Sequence, residues 1–155
     1  MDTLDGRIVA LFTAEPRLPV LEAARRLGVA RGTVLARLER LRVDGVVTSW
    51  APTVDPAAFG FPVSAWCSLS VKQGSFEEAV AALSAIDEVQ SVHLVTGPSD
   101  MMVRVVARDN PDLQRVVELM QATGLVLRST TVVVLTTPVE AGRAARLARV
   151  VTGVD

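Results

Sequence analysis

Two stretches of this chain hold side chains that can do chemistry. The first is residues 96–104, TGPSDMMVR, where Asp100 stands between a Gly-Pro-Ser turn and valine-rich sequence. Gly97, Pro98 and Ser99 already satisfy a hairpin turn, so the carboxylate is left over. It either bonds nearby backbone amides, as aspartates at turns do, or it contacts a ligand. The second is residues 17–42, with seven arginines (17, 25, 26, 31, 37, 40 and 42) against two acids, Glu22 and Glu39. Such a run suits a polyanion, and it equally suits a solvated helical face. Residues 51–142 carry five basic and ten acidic residues, so the net charge of −1 hides an uneven distribution.

Other chemistries find little support. His93 is the only histidine and lies in strand-like sequence, where it reads as a strand residue. Cys67 is the only cysteine, which excludes an internal disulfide, and its neighbours mark it as a small buried hydrophobe. No Cys/His cluster has zinc spacing and no phosphate loop is present, so neither a metal nor a cofactor is expected. No apolar run approaches the roughly 18 residues of a membrane span. The start, MDTLDGRIV, is acidic and lacks the basic start of a secretory signal. The expectation is a soluble cytoplasmic protein with no membrane partner. Its 155 residues suffice for one ordinary domain or two small ones.

The arginines need elements to position them. Leu4, Ile8, Leu11 and Phe12 recur at helical spacing, and Pro16 closes that element. Residues 20–27, VLEAARRL, form a second short helix, with Gly28 as its C-terminal cap. RGTVLARLERLRVDG then runs as a third helix that Gly45 stops. Val34, Leu38 and Leu41 make its buried stripe, and Thr33, Ala36, Arg37 and Arg40 follow the opposite side. Two short helices joined by a Gly-containing turn form a helix-turn-helix, whose second helix fits the DNA major groove. An ordinary three-helix bundle with exposed arginines is the competing reading. The following VVTSWAPTV is strand-like and predicts a winged variant.

The second half has another rhythm. In residues 63–72, Val63, Ala65, Cys67, Leu69 and Val71 alternate with Trp66 and serines. Ser75 and Glu78 predict a capping box opening the helix FEEAVAALSAI. VQSVHLV and MMVRVVAR are strands flanking the Asp100 turn. Asn110-Pro111 predicts an N-cap and a first helical position, with that helix ending near Ala122, and LRSTTVVVLTT is the last strand. The order β-α-β-β-α-β is the ferredoxin-like split unit, making the chain α+β. Two helices cover one sheet face. Trp66, Val132 and Val134 leave the other too apolar to stay wet, so a homodimer is expected.

These residues together resemble the Lrp/AsnC, or feast/famine, family of bacterial transcription regulators. The resemblance spans roughly residues 2–140. It rests on LDGRIVALF, LGVARGTVLARLERLRVDGVV, the Asp55-Pro56 and Phe59-Gly60 link, and TGPSDMMVRV. It implies a winged helix-turn-helix over residues 1–50 and a linker with a strand over 51–62. A ferredoxin-like domain for effector binding and oligomerisation follows over 63–140, then a tail over 141–155 holding Arg143, Arg146 and Arg149. It makes Arg31, Gly32, Thr33, Ala36, Arg37 and Arg40 the DNA-facing positions, on an inverted-repeat operator. Ala30 departs from the serine usual at that helix start, losing about 1 kcal/mol of capping. Arg42 departs from a common acid.

The resemblance also places the Asp100 loop between dimers, in higher assemblies that are often octamers, at an effector pocket. Backbone amides around Gly97 would then cradle an α-carboxylate, and Asp100 would accept from an α-ammonium. Thr96, Pro98 and Ser99 complete the loop, and Met101, Met120 and Val132 would meet the effector's side chain. The effector implied is an amino acid or a related small molecule. An effector-less orphan regulator is one alternative. A sirohaem-decarboxylase-like enzyme on the same scaffold is another, disfavoured by a single histidine and an acidic second half.

Overall fold

The computed structural model describes residues 1–139 and Leu147. It divides into two compact units, the first including Met1–Pro52 and the second being Thr53–Thr137. The arginines of the 141–155 tail lie outside the described residues.

In the first unit, α1 (Thr3–Ala14), α2 (Val20–Leu27) and α3 (Arg31–Val43) enclose a core of Ile8, Phe12, Ala23, Ala24, Leu27, Val34 and Leu41. The turn after α2 works as expected. Gly28 adopts φ 70°, a left-handed conformation that costs a glycine little, and its N–H closes the helix on Ala24 and Arg25. The predicted wing strand is absent. The Val46 and Val47 amides both bond the Leu41 carbonyl, at 2.9 and 3.0 Å, and residues 46–54 form no strand. A strand needs a neighbour for its amides, and the described part of this unit has none to offer. Trp50 packs edge-on to Phe12 instead, ring centroids 6.3 Å apart.

The strand expected within 51–62 is also replaced, by a 3-10 turn over Pro56–Phe59. The Asp55 carboxylate accepts from the Ala57 amide there, and Gly60 ends the turn at φ 87°.

The second unit has strands β1 (Val63–Val71), β2 (Val89–Leu94), β3 (Met101–Ala107) and β4 (Val126–Val133), with helices α4 (Phe76–Ser84) and α5 (Asn110–Ala122). The sheet is antiparallel in the order β2-β3-β1-β4, the split βαββαβ arrangement. Ala65, Cys67, Leu69 and Val71 alternate into the core with Met101, Val103 and Val105, and Leu83, Val116 and Met120 pack over them from the helices. Burying each of the larger side chains fully contributes about 1.5–3 kcal/mol.

Both predicted caps depart from expectation. Ser75 does precede α4, but at φ −109° and ψ 26° it lacks the extended backbone typical of a cap, and no side-chain cap bond forms. For α5 the cap is Asp109, whose carboxylate accepts from the Asp112 amide, so Asn110 is the first helical residue and Pro111 the second. β4 stops at Val133, leaving Val134 beyond the strand with its N–H on the Ser64 carbonyl at 2.8 Å.

Candidate functional site

In the first unit the arginines of α3 do not all point outward. Asp5 of α1 is fully buried, and it receives Arg37 Nη1 at 3.0 Å and Arg40 Nη2 at 2.6 Å. Arg37 also pairs with Asp2. Those acids form a capping box on α1: the Asp5 amide donates to Asp2 Oδ1 at 2.9 Å, and the Asp2 amide to Asp5 Oδ2 at 2.8 Å. The Arg37 guanidinium, helped by the Asp5 amide, holds the Asp2 carboxyl down at about 2. A buried carboxylate is tolerable only when paired in this way. The acids that orient two of the expected DNA-facing arginines thus come from the first five residues, where neither Asp2 nor Asp5 is among the sequence-based candidates. A D-x-x-D start ahead of an apolar helix was the signal available.

The remaining expected positions stay accessible. Arg31, Gly32 and Ala36 are exposed and Thr33 is half-buried. Arg31 makes no ion pair among the described residues, whereas Arg25 and Arg26 pair with Glu22 and Arg42 with Glu39. As expected of Ala30, α3 begins without a side-chain cap.

In the second unit the Asp100 carboxylate reaches beyond its own turn. The β1–β3 ladder ends at Leu69 and Met101. Beyond it, the Val71 amide donates to Asp100 Oδ2 at 2.9 Å. The Asp100 amide donates to the Leu69 carbonyl at 2.9 Å, and its carbonyl accepts from Val95 at 3.0 Å. The residue therefore clasps the β2–β3 turn to the end of β1, where the β1–β4 register shifts between Ser70 and Val71. Its carboxylate supplies an acceptor to a distant strand, not to its own turn.

The other expected effector residues do not converge. Thr96, Gly97 and Pro98 are exposed and Ser99 is half-buried, so the loop is open to a ligand. Met101 and Met120 are fully buried in the core under the helices. Val132 lies across the sheet, 60% exposed. Within one protomer, no ligand at the loop reaches either methionine.

On the open sheet face Trp66 sits opposite Val132 in the β1–β4 register, and Val134 follows beside Ser64. A groove of about 730 Å³ runs along it, lined by Trp66, Ser68, His93, Leu94, Met102 and Val132 among others. The His93 and Trp66 rings lie 5.9 Å apart. On the covered side, burial raises the pKa of the Cys67 thiol, as befits an unreactive core residue. Among the described residues no three metal-ligating side chains gather, and no helix is long and apolar enough to cross a membrane.

The comparisons follow this division into units. The model of the AsnC-type helix-turn-helix domain matches residues 1–42, and that of the Lrp/AsnC ligand binding domain matches residues 64–144. The chain belongs to the Lrp/AsnC family. Among its relatives, the HTH-type transcriptional regulator FL11 of Pyrococcus horikoshii is 27% identical over 137 residues, covering 88% of this chain and 91% of that protein. The HTH-type transcriptional regulator AldR of Mycolicibacterium smegmatis is 30% identical over 120 residues, 76% of this chain and 70% of that one. The structure of E. coli AsnC superposes with a TM-score of 0.83 at 26% identity, covering 90% of this chain and 95% of that one. A feast or famine regulatory protein from M. tuberculosis, complexed with L-methionine, gives 0.81 at 26% identity, with the same coverages.

Proposed function

We propose that this Lrp/AsnC-family chain is a transcriptional regulator that binds an inverted-repeat operator as a homodimer and takes an amino acid as effector. One observation carries the reading. A helix-turn-helix match and a Lrp/AsnC ligand-binding match fall separately on the two units that the fold itself separates. In this reading Arg31, Gly32, Thr33 and Ala36 face the duplex, while Arg37 and Arg40 border it and fix the roll of α3 on α1. The sheet face of Trp66, Val132 and Val134 is covered by a second copy, because a groove so apolar is costly to leave in water. A two-fold dimer offers two equivalent recognition helices, hence the inverted repeat. The exposed loop of Thr96, Gly97, Pro98 and Ser99, clasped by Asp100, contributes the effector contact between dimers in a larger assembly such as an octamer. The amino-acid class is supported by the relative that was solved with L-methionine. The protein works in the cytoplasm, without catalysis.

The test is a thermal-shift screen of the proteinogenic amino acids on the purified chain, beside a gel-shift assay with DNA selected from random duplexes. At least one amino acid should raise the melting midpoint and alter operator affinity. Selected DNA bound with no response to any amino acid would leave an effector-less regulator. Absence of any DNA binding would overturn the reading.

A further inference from the structure

The solvent face of α3 is not a cationic one. Gly32, Leu35, Ala36 and Glu39 recur at i, i+3, i+4 and i+7, and all four are exposed, opposite the Val34–Leu38–Leu41 stripe. Leu35 is 41% exposed in the middle of this face. The arginines that would otherwise dominate it are engaged: Arg37 and Arg40 by Asp5, and Arg42 by Glu39 at 2.7 Å. Guanine is read by a free guanidinium fork, and those of Arg37, Arg40 and Arg42 are held in ion pairs, leaving Arg31 at the start of the helix. The apolar feature that the major groove offers is the C5 methyl of thymine. Gly32 and Ala36 flank Leu35 with little bulk, and a Cβ placed on Gly32 would meet nothing within 4 Å, so the helix can approach the groove floor closely.

We propose that Leu35, with Ala36 beside it, reads thymine methyl groups in each half of the operator. This rests on the chain being a DNA-binding regulator and names what its recognition helix selects. Base choice by α3 then comes from apolar contact, and Arg31, unpaired among the described residues, supplies attraction to phosphate that is blind to sequence.

Thymine-to-deoxyuridine replacement tests this, because it deletes the methyl alone. Duplexes are first selected from a random library with the full-length chain, and each half-site should be enriched in thymine. Replacing a contacted thymine should weaken wild-type binding about fourfold, the worth of one buried methyl-sized group. Leu35→Ala, which suits an exposed helix position and should leave the melting midpoint unchanged, should bind the thymine and deoxyuridine duplexes alike. Arg31→Ala should weaken both equally and lower the salt slope by about one phosphate. Equal wild-type affinity for thymine and deoxyuridine duplexes would overturn the methyl contact while leaving DNA binding intact. A Leu35→Ala variant that keeps the full thymine preference would overturn the assignment to Leu35. If no duplex is selected at all, the regulator reading falls and the proposal falls with it.

Discussion

Asp100 and Asp5 are acids whose partners lie far along the chain, and each changes what a substitution should do. Asp100→Ala removes the acceptor of the buried Val71 amide, so it should cost about 1–3 kcal/mol in urea unfolding. It should also speed hydrogen exchange at Val71. Asp100→Asn keeps an acceptor oxygen and should lose much less. An alanine variant as stable as the parent would return the carboxylate to a ligand role. Arg37→Ala leaves the buried Asp5 with Arg40 and the Asp2 amide as its partners. The loss should be about 1–3 kcal/mol, below that of breaking a buried pair outright because these partners stay. Unchanged stability, with a DNA salt slope lowered by one phosphate, would show Arg37 serving the duplex instead. Sequence reading weighed Asp100 as turn cap or ligand contact and missed the clasp, because Val71 lies 29 residues upstream, outside any local window. Asp5 escaped for the same reason, its arginines being 32 and 35 residues away.

At the scale of elements, the helices were legible and their ends less so. Apolar spacing placed α1 and α3 and alternation placed β1, since those periods follow from which face is buried, while cap signals pointed to α2, α4 and α5. Caps depend on the backbone angles of one residue, so Ser75 and Asn110 misled. The wing misled more, because a β-prone stretch becomes a strand only beside another strand. The first unit should be acid-sensitive through its exposed pairs. Bonds from Arg37 and the Asp5 amide hold Asp2 at about 2, from an ordinary 3.8. Arg25 and then Arg26 hold Glu22 at about 2, from 4.5. Folded values below unfolded ones mean that stability is fully present above pH 4.5 and is lost as pH falls toward 2. Circular dichroism melts of the helices should show the midpoint dropping across that window, less steeply in high salt. A midpoint flat down to pH 2 would deny these pairs any role in stability.

At the scale of the whole molecule, the proposed assembly rests on the open sheet face. Trp66→Glu places a charge opposite Val132, in the middle of the groove. It should shift a dimer toward monomer in light scattering and weaken operator binding, because the two recognition helices would no longer act together. A wild-type chain that is monomeric at micromolar concentration would remove the dimer, and the inverted repeat with it. The sequence betrayed this face through Trp66, Val132 and Val134. It concealed the contributions of Leu94 and Met102, which only the β2–β3 register brings alongside.

The capping box of α1 makes the recognition helix a poor cassette for transplantation. Residues 31–43 moved alone into another regulator would bring Arg37 and Arg40 but leave behind the two carboxylates that aim them. In the new host the helix would settle with a different roll, presenting other side chains to the groove. A chimera that also carries Asp2 and Asp5 should recover the donor's operator preference where the helix-only chimera does not. Full preference in the helix-only chimera would mean that the roll is set by the packing of Val34 and Leu41 alone.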